Sequence, residues 1–100
     1  MNDKTHRFSD IQKALLLALV HGFRKGVKSG KSTYLNYVVS KKLEREVHPN
    51  NFRESCKRLE ERGLIMRRKV KLDWYLNITP DGLEQVVEWI DNKGSGNNNE

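Results

Sequence analysis

The chain has 100 residues, a hydrophobic fraction of 36%, a charged fraction of 32% and a formal net charge of +6 at pH 7. That size suits one domain with a modest core, and the sequence contains no apolar run long enough to span a bilayer and no signal-peptide core. A single cysteine, Cys56, excludes an internal disulfide and fits a reducing compartment, so we expect a cytoplasmic protein without a membrane partner.

The first predicted element is a helix. Residues 1–8 form a polar lead, and Ser9 is expected to cap the helix with Gln12 as its capping-box partner. Gly22 and Gly26 are expected to end it. One apolar face recurs at helical spacing: Ile11, Leu15, Ala18 and Leu19. Further apolar residues lie on other sides: Leu16, Leu17 and Val20. A helix of this kind is buried on more than one face, either within the domain or against a second subunit.

The following stretch, residues 24–32, ends in Gly-Lys-Ser, which is also how a phosphate-binding P-loop ends. A P-loop has four residues between its first glycine and the Gly-Lys pair, and it follows a buried strand. Here Lys25 occupies the position of that first glycine, and a helix precedes the stretch. We therefore interpret it as a loop in which Ser32 or Thr33 caps the second helix, and not as a nucleotide site.

Two more helices are predicted before the middle of the chain. The second runs over "TYLNYVVSKKLE" with Leu35, Val38, Val39 and Leu43 as its apolar positions. A turn over residues 44–49 contains Pro49, and Asn50 is a suitable N-cap for the third helix. Phe52, Cys56 and Leu59 fall at i, i+4 and i+7 of that helix, so they are expected to point inward, and Gly63 is expected to follow its last turn.

A β-hairpin is predicted over residues 65–76, with its tip between Val70 and Asp73. The alternation of Trp74, Leu76 and Ile78 with polar residues has the period of a half-buried strand. Thr79 and Pro80 have the residue types of an N-cap and a first helical position, which predicts a fourth helix. Residues 93–100 are expected to be a disordered tail. The predicted class is therefore α+β, mainly α, in one domain over residues 9–92.

The segments "CKRLEERGLIMRRK" and "WYLNITPDGLEQV" resemble the winged helix-turn-helix domain of small bacterial and archaeal transcription regulators. The matching positions are Leu59-Glu60, Gly63-Leu64-Ile65, and Ile78-Thr79 with Gly82. The resemblance covers residues 9–91 and implies three helices, a two-stranded β-hairpin wing, a C-terminal helix and DNA binding. The sequence departs from the family in the turn at 44–49, which is longer than the usual three or four residues.

Charge and residue types favour the same function. Between Lys57 and Lys71 there are seven basic residues against two acidic ones, whereas residues 81–100 hold five acidic residues and one basic residue. A recognition helix over residues 50–62 would present Asn and Arg, which pair with adenine and guanine, to the major groove of double-stranded DNA. The residues predicted to contact DNA on this helix are Asn50, Asn51, Arg53, Glu54, Lys57 and Arg58. Those predicted on the wing, for phosphates or the minor groove, are Arg67, Arg68, Lys69 and Lys71, and those at the start of the second helix are Lys31, Ser32, Thr33 and Tyr34.

The outer helices carry more apolar residues than a small domain needs on one face. We expect a homodimer through helices 1 and 4, an arrangement that the resemblance also implies. The predicted interface residues are Leu16, Leu17, Val20, Val87, Trp89 and Ile90. The three histidines lack metal-ligand spacing and no nucleophile–base pair can be identified, so we expect neither a metal, nor a cofactor, nor an enzyme.

Three other functions remain open at this stage. The domain can be a winged-helix adaptor that binds another protein, or an architectural or replication-associated DNA binder with little sequence preference. RNA binding is disfavoured, because few aromatic residues interleave with the basic ones.

Overall fold

The computed structural model describes the backbone of residues 7–98 and the side chains of residues 7–91. Within that part of the chain it contains four α-helices and three β-strands. In chain order these are α1 (Asp10–Arg24), β1 (Gly30–Lys31), α2 (Ser32–Leu43), α3 (Pro49–Glu61), β2 (Ile65–Val70), β3 (Asp73–Ile78) and α4 (Pro80–Asn98). The predicted class and the predicted order of helices and hairpin are confirmed.

The sheet has one strand more than the sequence predicted. Its order is β1-β3-β2, all antiparallel, and β1 pairs Gly30 with Leu76 and Lys31 with Tyr75. The prediction of a loop is therefore wrong for these two residues. A two-residue strand is too short to show a period, and it forms because the outer edge of β3 offers unpaired backbone groups. A Cβ at position 30 would come within 2.9 Å of the Leu35 side chain, so glycine permits this close packing against α2.

Helix α1 lies at the centre of the core. The largest fully buried side chains are Leu15, Leu16, Leu59, Ile65, Leu76, Val39 and Val86. The expectation that α1 is buried on more than one face is met inside a single chain, because Leu15 and Leu16 are both 0% exposed. Leu16 is consequently removed from the predicted dimer interface, since none of its surface remains for a second copy.

The stretch predicted as a polar lead contributes to the core through Phe8. This ring is 7% exposed and packs edge-to-face on Trp89, with a ring-centroid distance of 5.0 Å. The guanidinium of Arg62, the C-cap residue of α3, lies 3.9 Å from the Phe8 ring centroid. Phe8 therefore joins the first, third and fourth helices, and Trp89 is packed largely within its own chain. Residues 1–6 lie outside the described residues.

The N-caps of the helices confirm the sequence predictions only in part. Ser9 and Gln12 form the predicted capping box, with bonds of 3.0 and 3.1 Å. The predicted cap of α3 is wrong: His48 is the N-cap, its Nδ1 accepts from the Asn50 N–H at 3.1 Å, and Pro49 takes the first helical position. A proline suits that position because its missing N–H would have no helical partner. Helix α2 also lacks the predicted cap, because Ser32 is its first residue and Lys31, the N-cap, makes no side-chain capping bond.

The long turn between α2 and α3 is fixed by polar contacts to α2. Ser40 Oγ accepts from the Val47 N–H at 3.0 Å and donates to Asn36 Oδ1 at 3.1 Å. The Asn36 amide donates to the Val47 carbonyl at 3.3 Å, and the Val47 side chain is 3% exposed. The extra residues of this turn are thus held against α2 by the hydrogen bonds of Val47.

The residues that carry the family resemblance form a structural junction. The Thr79 hydroxyl donates to the Gly63 carbonyl at 2.7 Å and accepts from the Gly82 N–H at 3.0 Å, while the Thr79 N–H donates to the Leu64 carbonyl at 3.1 Å. Gly63 has a φ of 77°, a left-handed conformation that glycine adopts readily. The junction joins the end of α3 to the start of α4 at the base of the hairpin.

The last helix extends further than the sequence predicted. Helix α4 runs to Asn98, so its backbone continues through most of the stretch that was expected to be a disordered tail; residues 99–100 lie outside the described residues. In the described part of the chain, no helix has both the length and the apolar character needed to cross a bilayer.

We predict that Gly82→Ala destabilises the fold by about 1–3 kcal/mol, because a Cβ at this position overlaps the Leu64 carbonyl and comes within 2.7 Å of Ile78 Cγ1. Urea denaturation monitored by tryptophan fluorescence measures the free energy of unfolding. Gly22→Ala is the control, because its Cβ would meet nothing closer than 3.6 Å on α1 and should stabilise that helix by roughly 0.5–1 kcal/mol. Equal effects of the two substitutions would contradict the close packing at Gly82.

Candidate nucleic-acid interface

The start of α2, the helix α3 and the β2–β3 hairpin meet at one side of the fold. They surround an open groove of about 560 Å³. Its lining includes Lys31 and Tyr37 from the α2 segment, Phe52 and Arg53 from α3, and Trp74 from the hairpin. The three elements on which DNA contacts were predicted from the sequence are therefore adjacent. We call the β2–β3 hairpin the wing.

Helix α3 presents the two faces that its sequence predicts. Phe52, Cys56 and Leu59 point inward, with exposed fractions of 4%, 3% and 0%. Six polar residues of the opposite face are all exposed: Asn50, Asn51, Arg53, Glu54, Lys57 and Arg58. The inward face fixes the rotation of α3 about its axis and so determines which side chains face solvent.

Four of these polar residues form two pairs along the helix. Arg53 Nη1 donates to Asn50 Oδ1 at 3.0 Å, and Arg58 Nη2 lies 3.8 Å from Glu54 Oε2. Asn50 is therefore the residue that orients Arg53, while Glu54 lies beside Arg58. Because these pairs are exposed, they contribute little stability and can be exchanged for contacts with a ligand.

Arg67 differs from its predicted role. Its Nε donates to Glu60 Oε1 at 2.8 Å, its backbone N–H donates to Glu60 Oε2 at 3.2 Å, and its side chain is only 19% exposed. The hydrogen bond from Arg67 holds the pKa of the Glu60 carboxyl below its ordinary value of 4.5. The guanidinium also lies 4.9 Å from the Trp74 ring centroid. Arg67 joins the wing to α3 and is removed from the predicted set of DNA contacts.

The pleat of the wing explains this placement. Register pairs Ile65 with Ile78 and Arg67 with Leu76, so these residues share the face that covers the core. Sequence distance alone treats the four basic residues of the wing as equivalent, whereas the pleat turns Arg67 and Lys69 to the inner face. Of these two, Arg67 is the one that pairs with Glu60 of α3. Three remain exposed: Arg68, Lys69 and Lys71.

The start of α2 contacts the wing through an ion pair. Lys31 Nζ lies 3.5 Å from Asp73 Oδ2, and both side chains are 45% exposed. Thr33 and Tyr34 are exposed and Ser32 is half-buried, so the predicted residues of this segment are at the surface beside the groove. The Tyr34 and Tyr37 rings lie with centroids 6.4 Å apart.

Sequence reasoning missed two residues of this surface. Leu72, at the wing tip, is 90% exposed, and Trp74 is 39% exposed, with the Lys69 ammonium 5.9 Å from its ring centroid. The period of two correctly put Trp74 on the inner face of β3. That face extends beyond the core, however, so the ring is covered by basic side chains instead of apolar ones.

Cys56 has no reactive character. Burial raises the pKa of its thiol to about 12, so the thiolate does not form near neutral pH. Its position on the inward face of α3 agrees with its interpretation as a small core residue. Among the residues that the structure describes, no three His, Cys, Asp or Glu side chains are grouped as metal ligands would be.

Comparisons with solved structures identify proteins of the same fold. No protein-family model matches the sequence, and no similar curated protein is found. The chain is similar in structure to RosR of H. salinarum. In the hsRosR-S1 complex the TM-score is 0.78 at 16% identity, over 96% of this chain and 80% of that one. The hsRosR-S4 complex gives 0.77 at 18% identity, over 89% and 73% of the two chains, and the RosR crystal grown from NaBr gives 0.77 at 18%, over 89% and 76%. The winged-helix fold is thereby confirmed.

We predict that Glu60→Gln lowers the free energy of unfolding at pH 7 by roughly 0.5–1 kcal/mol, a small loss because Glu60 is 37% exposed and solvent screens its pair with Arg67. The pKa of Glu60 is lowered in the folded state, so the contribution of the carboxylate is present above pH 4.5 and is lost as the pH falls through the lowered value. Urea denaturation should show a larger loss of stability for Glu60→Gln at pH 7 than at pH 3.

The control for this experiment is Glu54→Gln, whose partner Arg58 is exposed at 3.8 Å. It should change stability by no more than about 0.5 kcal/mol at either pH. A loss for Glu60→Gln that is equally large at pH 3 would contradict the assignment to a charged pair.

Proposed function

We propose that this protein binds double-stranded DNA sequence-specifically as a transcriptional regulator. In this proposal α3 lies in the major groove and the wing contacts the backbone or the minor groove. The observation that carries the proposal is the adjacency of two surfaces, the polar face of α3 with its Asn and Arg residues and the basic wing beside it. The shared fold of RosR, a transcription regulator of a halophilic archaeon, supports a regulator and not an enzyme.

Base reading is assigned to the first two turns of α3. Arg53 matches the O6 and N7 acceptors of guanine, and Asn50 or Asn51 matches the N7 and N6 groups of adenine. The 3.0 Å bond from Arg53 to Asn50 is exposed, so both side chains can exchange it for contacts with base edges. A purely electrostatic binder has no need of two Asn residues and one Glu residue on this face.

Phosphate contacts are assigned to the surrounding basic and hydroxyl groups. Lys57, Arg68 and Lys71 are exposed and make no ion pair with any residue that the structure describes, so their charges are available for phosphates. The hydroxyl and N–H groups at the start of α2 add donors without charge, since the first turn of that helix has no side-chain cap.

The protein is proposed to act as a homodimer through α1 and α4. Val87 and Ile90 are one turn apart on α4 and are 52% and 55% exposed. Ile90 lines an open groove of about 900 Å³ between α1, α2 and α4, together with Leu17 and Val20. A two-fold interface along this groove would hold two α3 helices about 34 Å apart, one turn of B-DNA. Leu16 and Trp89 have no part in it, because they pack within one chain.

The function is tested by selecting bound duplexes from a random DNA pool at about 150 mM salt. Sequence-specific binding predicts an enriched motif whose affinity exceeds that for random DNA by at least about 10³. An affinity ratio near one would favour the architectural DNA binder instead. Absence of salt-dependent DNA binding would favour the protein adaptor.

We predict that Arg53→Ala costs about 1–3 kcal/mol on the enriched motif and much less on random DNA, since a base contact carries discrimination. Arg68→Ala and Lys71→Ala should weaken both by the same factor, and each lost phosphate contact should flatten the slope of log affinity against log salt by about 0.9. Fluorescence anisotropy over a salt series measures both quantities. Lys13→Ala on α1 serves as the control and should change neither.

Equal losses on the two DNAs for Arg53→Ala would assign that residue to the backbone. An unchanged salt slope for Arg68→Ala and Lys71→Ala would remove the wing from the phosphate contacts.

We predict that the double change Val87→Glu with Ile90→Glu gives a folded monomer, because it places two charges on the exposed apolar side of α4, one of them in the groove, without touching the Phe8–Trp89 contact. Sedimentation should show the parent as a dimer at about 10⁻⁵ M, well above a typical specific DNA affinity. Leu72→Glu, a charge on an equally apolar exposed side chain at the wing tip, should leave the dimer intact. A monomeric parent at that concentration would contradict the dimer.

A further inference from the structure

The tip of the wing carries an exposed leucine. Leu72 is 90% exposed, more than any other large hydrophobic residue that the structure describes. It lies in the two-residue connection between β2, which ends at Val70, and β3, which begins at Asp73. No core residue contacts it closely enough to bury it, so packing does not explain a leucine at this position.

The connection is also unfavourable for its own backbone. Two-residue hairpin turns favour Asn-Gly, Asp-Gly or a leading glycine, because these residues adopt positive φ with little cost. Here Lys71 holds a φ of 60°, in the left-handed region that disfavours residues with a side chain. Both tip residues therefore depart from what turn stability selects. Such local departures are concentrated at functional sites.

Positive charge is concentrated on the β2 side of the leucine. Arg68, Lys69 and Lys71 are exposed next to it along the hairpin. The one acidic neighbour, Asp73, has its carboxylate 3.5 Å from Lys31 Nζ, so its charge is compensated. An exposed apolar side chain beside three cations is complementary to a partner that offers an apolar gap next to a row of anions.

We propose that Leu72 is a wedge that enters the minor groove of DNA and partly unstacks one base step. This inference rests on the proposed function and deepens it, since it adds DNA bending to DNA binding. Leucine is among the side chains that separate base steps in this way, with kinks of roughly 20–90° toward the major groove. The basic residues that precede the leucine, Arg68 and Lys69 on β2 and Lys71 in the turn, would neutralise phosphates of one strand that borders the groove.

DNA fits this tip better than an anionic membrane does. A single leucine buries little area in a bilayer, and its hydrophobic neighbours on the hairpin, Val70 and Trp74, are only 38% and 39% exposed. Partial unstacking of a base step, in contrast, requires only one apolar side chain of this size.

The test uses duplexes of the motif enriched from the random pool, with 2-aminopurine placed in turn at each base step next to the α3 site. Binding of the parent should raise the fluorescence at one step, and energy transfer between dyes at the duplex ends should report a bend of at least about 20°. Leu72→Ala should lose both signals, while its affinity falls by at most about tenfold. Because Leu72 is exposed, this variant is expected to fold like the parent.

Three further measurements distinguish a wedge from a general effect of the substitution. Leu72→Met should retain both signals, because methionine also acts as a wedge. Met66→Ala, at an apolar wing residue that is 64% exposed, should leave both signals unchanged. Vesicles of phosphatidylglycerol should not bind the parent in a way that depends on Leu72.

The outcomes separate the wedge from the proposed function. Bound DNA that stays stacked and straight, or signals that persist in Leu72→Ala, would overturn the wedge and leave DNA binding intact. Failure of the parent to bind any duplex would overturn both. Vesicle binding that is lost in Leu72→Ala, without unstacking of DNA, would overturn the wedge in favour of a membrane contact.

Discussion

The contact between Glu60 and Arg67 determines how the candidate DNA surface is arranged. One carboxylate near the end of α3 accepts both the backbone N–H and the side chain of the same wing residue, at 3.2 and 2.8 Å. Trp74 then lies against the other side of that guanidinium. The base of the wing is thereby held against α3, and the tip with its cations projects away from it. An arginine predicted to contact DNA instead orients the element from which other residues would do so.

The motif that carries the family resemblance has a related, architectural role. Gly82 allows close backbone approach, Gly63 adopts a left-handed conformation, and Thr79 bridges them through its hydroxyl. None of these residues belongs to the polar face of α3 or to the exposed part of the wing. A sequence match at these positions therefore predicts how the hairpin joins two helices. It contains no information on which bases are read, and for this reason the proposed base contacts rest on Asn50, Asn51 and Arg53 alone.

Sequence predicted those features that depend on neighbours a few residues apart. The inward face of α3 and the capping box at Ser9 follow from helical spacing, and both are confirmed. Features set by distant partners were missed. Phe8 is buried only because Trp89 and Arg62 come to it from other helices. Strand β1 exists only beside β3, and the role of Arg67 depends on which way the pleat turns. Charge counting along the chain does not contain that information.

Methylation interference on the selected motif tests whether α3 occupies the major groove while the wing lies over the minor groove. Dimethyl sulfate modifies guanine at N7 in the major groove and adenine at N3 in the minor groove. We expect N7 methylation within the α3 site to block binding, and N3 methylation to block it only in the adjacent segment under the wing. Interference at minor-groove positions alone, or uniformly along the duplex, would contradict major-groove recognition by α3.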